Sequence, residues 1–328
     1  MILVKHENLG NFEPYFYFAL EDYILNEVLK GEESYFFTWI IKGVVVGKNQ
    51  IIENEVNLDY VNQNNISVFR RPTGGGTVYA DERNTMFSII TKRETSFSFK
   101  KHLVHIINAL KPLGVELEFS GRNDILFEGK KVSGNAFLQN KNGMLLHGTL
   151  LYDCDLETMV RAITPSDEKL VSKGVESVRN RVVNLKPYLG GRSQESLITH
   201  LEKTLTDKTY TLSPEEVSML LVRAKKYASK EWIYRQQATY TKNLKKRIPG
   251  GLFDISLTLQ DGLIKAMNIS GDFFDLKPAQ ELAEHFIGHV YNLGEMKKLL
   301  NGLDLSSYFL DLDVDAFAQL LLSGIIER

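Results

Sequence analysis

Apolar positions recur along this chain with two periods, and strand-like runs give way to helical ones near residue 155. Phe16, Leu20, Tyr23, Ile24 and Val28 share one face of a helix over Phe16 to Leu29. Tyr35 to Ile41 and Val44 to Gly47 are β-branched and aromatic runs broken at Lys42-Gly43, which predicts a hairpin. Ile66 to Arg70 and Thr77 to Ala80 read as strands around Pro72-Thr73-Gly74-Gly75-Gly76, and Met86 to Thr91 as another. A helix over Phe99 to Leu110 precedes short strands at Glu116 to Phe119 and Ile125 to Phe127. Lys131 to Leu138 and Met144 to Tyr152 then pair around Asn142-Gly143. The expectation is an α+β domain with a mixed or antiparallel sheet, rather than regular βαβ alternation.

Beyond that point helices are expected over Leu156 to Ile163, Gln194 to Leu205 and Pro214 to Tyr227. The last opens on a capping box, with Ser213 as cap, Pro214 at the first position and Glu216 at the third. Pro165 to Leu185 is polar, basic and without period, the mark of a functional loop if it lies inside a compact domain. Lys242, Lys245, Lys246 and Arg247 precede the breakers Pro249-Gly250-Gly251. A boundary there divides the chain into a catalytic domain over 1–246 and a small α+β accessory domain over 247–328. In the second, Leu252 to Leu259 and Leu263 to Ile269 flank Gln260-Asp261-Gly262 as a hairpin. Short helices follow near Ala279 to Phe286, Gly294 to Leu300 and Asp315 to Leu322.

Composition narrows the function classes. With 43% hydrophobic and 24% charged residues the chain reads as folded, and a net charge of −2 gives no reason to expect nucleic acid or a membrane surface. The single cysteine, Cys154, excludes an internal disulfide and a Cys/His zinc ribbon. No run approaches the roughly 20 apolar residues of a membrane helix, and the N-terminal stretch does not read as a secretory signal. A cytoplasmic monomer is the expectation.

Two stretches could carry chemistry. In Arg70-Arg71-Pro72-Thr73-Gly74-Gly75-Gly76-Thr77-Val78-Tyr79, consecutive glycines let backbone N–H groups converge on an anion, with the arginines adding charge-assisted contacts. A hairpin loop with two solvated arginines explains the same residues. In Gly121-Arg122-Asn123-Asp124 to Lys131-Val132-Ser133-Gly134, a strand lysine facing a cleft would bridge a carboxylate and a phosphate. Periodicity alone favours two solvated lysines, Lys130 and Lys131. Asn123 and Asp124 could hold Mg²⁺ on ATP phosphates, although capping the turn before Ile125 is the simpler account.

Taken together, these stretches resemble the Arg-Arg-x-[Ser/Thr]-Gly-Gly-Gly and Gly-Arg-Asn-Asp…Lys-[Val/Ile]-Ser-Gly motifs of lipoate–protein ligases. His147-Gly148-Thr149-Leu150-Leu151 is similar to the strand that follows in that family, and Ser172 to Val182 to its adenylate-covering loop. Gly271-Asp272-Phe273-Phe274 is similar to the start of its accessory domain. The resemblance implies a biotin/lipoyl-ligase-like mixed sheet with flanking helices. It also implies the reaction of lipoate with Mg²⁺ and ATP to lipoyl-adenylate, then transfer to a lysine of an apo lipoyl domain of a 2-oxo-acid dehydrogenase complex or of the glycine-cleavage H protein. Carried over by residue, Arg71, Gly76, Thr77, Val78, Tyr79, Lys131, Lys173, Val178 and Arg179 would contact ATP or the adenylate. Arg70, Arg71, Thr73, Gly74, Gly75, Gly76, Lys131, Ser133, Gly134 and His147 would contact lipoate. Lys131 would be the catalytic residue.

The chain departs from that pattern at Ala80, where the family has His before Asp81, and at Tyr234 to Tyr240, which replaces Tyr-Gly-x-Ser-Pro-x-Phe. A cysteine-dependent octanoyl or lipoyl transferase would have to use Cys154, whose acidic neighbours Asp153 and Asp155 disfavour a thiolate. A non-catalytic lipoate-binding protein is the other alternative. His285 and His289, four apart, lack a third metal ligand in the sequence nearby.

Overall fold

The computed structural model describes residues 1–6, 12–163, 180–234, 242–260 and 262–325, without the side chains of Glu53 and Asn54. Two compact units are present. The first comprises Met1–Val46, Glu53–Arg71 and Thr77–Ile233; the second comprises Gly47–Ile52, Pro72–Gly76 and Tyr234–Arg328.

The first unit is built on an eight-stranded mixed sheet, in the order β11-β1-β2-β6-β10-β9-β8-β7. Its strands are β1 (Ile2–His6), β2 (Tyr35–Trp39), β6 (Asn84–Thr91), β7 (Leu117–Phe119), β8 (Asp124–Phe127), β9 (Lys130–Gln139), β10 (Met144–Leu151) and β11 (Lys208–Leu212). β1 runs parallel to both β2 and β11, and the pairs from β2 to β7 are antiparallel. Every residue of the central strands β6 and β10 is buried, as expected where both sheet faces are covered. One face packs against the helix Pro14–Tyr23 and, through it, against the helix Pro214–Ala228. The helix Phe99–Leu110 packs against Gln194–Leu205.

Most expected elements are present. The helices Phe99–Leu110, Leu156–Ile163 and Gln194–Leu205 coincide with the predicted limits, and the Ser213–Glu216 capping box is formed. Two readings of the first unit need correction. Phe16 to Leu29 is α-helical only to Tyr23, after which Ile24–Val28 widens into a π-helical turn. The hairpin over Tyr35 to Gly47 does not form. Instead β3 (Gly43–Val46) joins a separate three-stranded sheet, parallel to β4 (Val68–Arg70) and antiparallel to β5 (Val78–Ala80). Gly43 permits this at φ 149°, where a Cβ would stand 2.4 Å from the Ser67 carbonyl oxygen. β1 and β11 were not expected; their pairing spans the domain and leaves no local turn to announce it.

In the second unit β12 (Lys242–Ile248), β13 (Gly251–Gln260) and β14 (Leu263–Phe273) form an antiparallel sheet with the hairpin at 260–263 as expected. The charged run at Lys242 is therefore strand, not linker: Leu244 and Ile248 point into the core while Lys245, Lys246 and Arg247 stay exposed on an edge. The segment Gly271 to Phe274 ends this sheet rather than starting a domain. Helices Ala279–Glu284, Leu293–Gly302 and Val314–Leu322 complete the unit.

Among the described residues no helix is long and apolar enough to cross a membrane.

Candidate active site

The first unit contains a cavity of about 380 Å³ lined by Thr77, Val78, Tyr79, Asp124, Leu126, Lys131, Thr149, Leu151, Met159, Ile163, Arg181 and Val182. Its floor is the eight-stranded sheet. Side chains alternate across a strand, so Leu145, His147, Thr149 and Leu151 of β10 share one face, passing from hydrophobic core to cavity.

Lys131 reaches the cavity through an irregularity in β9. Ser133 opposes Ile125 and Lys131 opposes Leu126, so Val132 has no counterpart on β8. The extra residue re-phases the strand and turns Lys131 to the face that carries Gly134, Leu126 and Thr149. Lys130, opposite Phe127, falls on the other face. The Lys131 ammonium lies 2.9 Å from Asp124 Oδ1, both groups being about one-third exposed. Asp124 is the one carboxylate among the cavity's described lining residues.

Reciprocal amide contacts fix the ends of β8 and β9. Asn123 Nδ2 donates to the Asn135 carbonyl at 2.8 Å, and Asn135 Nδ2 donates to the Asn123 carbonyl at 2.9 Å. Asn123 thus brackets the two strands through Asn135. Thr149 Oγ1 accepts from the Gly134 N–H at 3.2 Å, tying β9 to β10 beneath the lysine. Val183 N–H donates to the Lys131 carbonyl at 3.0 Å, which sets Arg181 and Val182 along the cavity wall.

His147 is buried beside this floor. Its Nδ1 lies 2.9 Å from Glu21 Oε1, which also accepts from Ser88 Oγ at 2.6 Å; Trp39 Nε1 in turn donates to Ser88 Oγ at 3.0 Å. Gly148 is required next to it, because a Cβ there would stand 2.0 Å from Asn135 Oδ1 and 2.6 Å from the Phe87 ring. Ser133 is fully buried and bonded to Asn135, on the face away from Gly134.

The arginine and glycine stretch is arranged otherwise. Arg70 is 1% exposed and donates from Nε to the Ile233 carbonyl at 2.7 Å, while its own carbonyl accepts from Trp232 Nε1 at 2.8 Å. Arg71, 5% exposed, donates to the Val45 carbonyl at 3.2 Å. The solvated-arginine reading is therefore corrected: both guanidiniums are inside the protein, satisfied in part by backbone oxygens. Thr73, Gly74, Gly75 and Gly76 belong to the second unit. Thr73 is fully buried and accepts from the Lys48 N–H at 2.8 Å. Gly75, at φ 85°, donates its N–H to the Phe273 carbonyl at 2.8 Å, and Gly74 approaches so closely that a Cβ would sit 2.4 Å from that oxygen. The Gly75 N–H thus serves strand β14, not an anion.

Of the residues singled out in the sequence, the cavity gathers Thr77, Val78, Tyr79, Asp124 and Lys131, with Gly134 bordering it. Arg71 does not line it. Lys173, Val178 and Arg179 lie outside the described residues, as do all but Tyr234 of the departure over Tyr234 to Tyr240. Leu126, Thr149, Leu151, Met159 and Ile163 were not singled out for the site, whereas Arg181 and Val182 end the stretch that resembles the adenylate-covering loop. Period-2 extension from His147 points to Thr149 and Leu151, and Met159 and Ile163 are four apart on one helix face.

Ala80, expected from the sequence to depart from the family's His, is fully buried in the core cluster. The neighbouring Asp81 accepts from Arg83 N–H at 3.0 Å and Asp155 N–H at 2.9 Å, so it holds together the two loops that flank the cavity strands. Burial, reinforced by Asp81, pushes the Cys154 thiol up to about 12 and also raises the Tyr79 phenol. Cys154 is 4% exposed. Among the described residues no three His, Cys, Asp or Glu side chains cluster as a metal cage. His285 faces the Tyr308 hydroxyl and His289 the Glu295 carboxylate.

Comparison with known proteins agrees with this layout. Residues 13–206 match the lipoyl protein ligase A/B catalytic domain, and residues 237–321 match the bacterial lipoate protein ligase C-terminus. The lipoate-protein ligase LplJ of Bacillus subtilis is 33% identical over 98% of this chain and 100% of its own length. The crystal structure of P. falciparum LipL1 in complex with lipoate superposes with a TM-score of 0.83 at 23% identity, covering 98% of this chain and 99% of that one, a likeness of fold. A lipoate-protein ligase A bound with ATP has a TM-score of 0.61 at 25% identity, over 71% of this chain and 98% of that one. With both family domains matched in order over one continuous chain, this protein belongs to the lipoate–protein ligases.

Proposed function

We propose that the Lys131 cavity is where this ligase activates lipoate with ATP and presents the adenylate to an acceptor lysine. The observation that carries the reading is the Lys131 ammonium, turned by the strand irregularity into a largely apolar cavity 2.9 Å from the only carboxylate on its described walls. A fixed cation in a partly dry site stabilises charge that builds up on reacting oxygens far better than one in water.

In the first step a lipoate carboxylate oxygen attacks the ATP α-phosphorus; the new O–P bond forms as the bond to pyrophosphate breaks. Lys131 sits between acyl carboxylate and phosphate and spreads their negative charge. In the second step the neutral amine of an acceptor lysine attacks the acyl carbon, AMP leaves, and the amine gives up a proton as the amide forms. No protein nucleophile takes part, so the enzyme contributes positioning and charge. Thr77, Val78 and Tyr79 would meet the nucleotide, and the apolar wall of Leu126, Leu151, Met159 and Ile163 would keep water from the mixed anhydride. Mg²⁺ suits this donor set if it arrives with the nucleotide. It commonly takes one or two carboxylates beside phosphate and water, and Asp124 supplies one. Bound there, it would neutralise phosphate charge. The acceptor class is a lipoyl domain or the glycine-cleavage H protein, as in the family.

The buried Cys154 thiol, raised to about 12, counts against a thioester route. The test is mass spectrometry of an apo lipoyl domain incubated with the protein, lipoate and Mg-ATP. The reading requires a lipoyl adduct that disappears without ATP and persists in Cys154→Ser; an adduct formed without ATP and lost in Cys154→Ser would replace it by the transferase.

A further inference from the structure

We propose that Gly134 is a positioning residue for Lys131, its missing Cβ opening the lane along which the lysine side chain crosses its own strand. This rests on the reading of the Lys131 cavity given above. The Lys131 side chain does not extend straight into the cavity; it folds back over position 134. A Cβ built on Gly134 would stand 2.7 Å from Lys131 Nζ and 2.8 Å from its Cε. These are closer than real Cβ contacts allow, and the atoms met are the far end of a flexible side chain. The lysine, rather than the backbone, would give way.

Three further features make this a device of the site and not a loose glycine in a strand. Asp124, the lysine's partner at 2.9 Å, is the cross-strand neighbour of Gly134 in the β8–β9 ladder, so lysine, glycine and carboxylate stack over one rung. No positive φ is required at Gly134, so the backbone gives no reason for glycine there. The rung itself is rigid: the Gly134 N–H is held by Thr149 Oγ1, and the Asn123–Asn135 bracket adjoins it. The bulge aims Lys131 at the cavity, and the absent methyl sets how far over the floor its ammonium lies. Glycine two residues beyond a bulged valine is thus part of the catalytic lysine's geometry, although Gly134 itself need touch neither substrate.

The test is a double-mutant cycle on the full chain with Gly134→Ala, Lys131→Ala and both changes, and Gly302→Ala as a glycine with open space around it. Two quantities are read: lipoate-dependent exchange of pyrophosphate into ATP, and Tm. Gly134→Ala should lower the exchange kcat by about a hundredfold, the scale of an ångström of misplacement, with a smaller change in KM for ATP. Adding it to Lys131→Ala should lower the rate no further. The Tm deficit of Gly134→Ala should shrink or vanish once Lys131 is alanine, because the clashing atoms are gone. Gly302→Ala should resemble the parent. Exchange by Gly134→Ala within about twofold of the parent would overturn the proposal. So would a Tm deficit of the same size with and without Lys131, which would mark a glycine needed by the strand alone. Full exchange by Lys131→Ala would overturn the reading of the cavity itself, an outcome distinct from an active Gly134→Ala beside an inactive Lys131→Ala.

Discussion

The glycine stretch at residues 70–76 and the lysine strand at 123–134 look alike as sequence and differ as structure. Both offer small residues beside positive charge, the usual ingredients of an anion site. In the first, the charges are buried and satisfied in part by backbone carbonyls, and the Gly75 N–H donates to the Phe273 carbonyl. In the second, a bulge turns one lysine of a pair into a cavity, and a glycine lets it lie flat across the floor. Glycine therefore does two jobs here. At Gly74 it lets two backbones approach, and at Gly134 it makes room for a side chain. The distinction lies in what a Cβ would meet: a carbonyl oxygen that cannot retreat, or an ammonium that can.

That contrast predicts different kinds of damage. The largest effect should come from Lys131→Ala, which should reduce adenylate formation by about 10²–10³-fold, with Tm little changed because the side chain is partly exposed. Gly74→Ala should act on stability instead. A methyl forced to within 2.4 Å of the Phe273 oxygen must move backbone, at about 1–3 kcal/mol, visible as a lower Tm by calorimetry. Arg70→Leu should cost about 1–3 kcal/mol, because the buried Ile233 carbonyl loses its donor. A Tm equal to the parent in either of these would show that the residue concerned is not packed as described. Lys130→Ala, on the far face of β9, should change adenylation by less than about twofold; a loss as large as that from Lys131→Ala would mean that the bulge does not select between them. The smallest effect concerns Cys154, whose thiol is buried and raised to about 12. Alkylation of the native protein should stay slow up to strongly alkaline pH, since the reactive thiolate forms only as pH approaches that value, and Cys154→Ser should keep ligase activity.

The sequence carried the helices and most strands because their periods are local; the Phe99–Leu110 stripe and the Ser213–Glu216 box need nothing from elsewhere in the chain. What it hid were non-local choices. Tyr35 to Trp39 and Gly43 to Val46 look like hairpin arms, yet each finds partners far along the chain, in different sheets. The burial of Arg70 and Arg71 was hidden because an arginine is expected in water unless its partners are known, and the Ile233 and Val45 carbonyls among them are remote in sequence. In the site, Lys131 was readable from the motif it resembles, but strict alternation across Lys131, Val132 and Ser133 does not show which way it faces. Only the register with β8 reveals the bulge. The apolar wall at Met159 and Ile163 was readable as helix but not as site, because a helical stripe does not say whether it faces core or cavity.

The central claim is that the Lys131 cavity makes the adenylate. Exchange of labelled pyrophosphate into ATP, measured with and without lipoate on the parent and on Lys131→Ala, tests it without involving any acceptor protein. The parent should exchange only when lipoate is present, and Lys131→Ala should fall about a hundredfold or more below it. Exchange by Lys131→Ala at the parent rate would contradict the account.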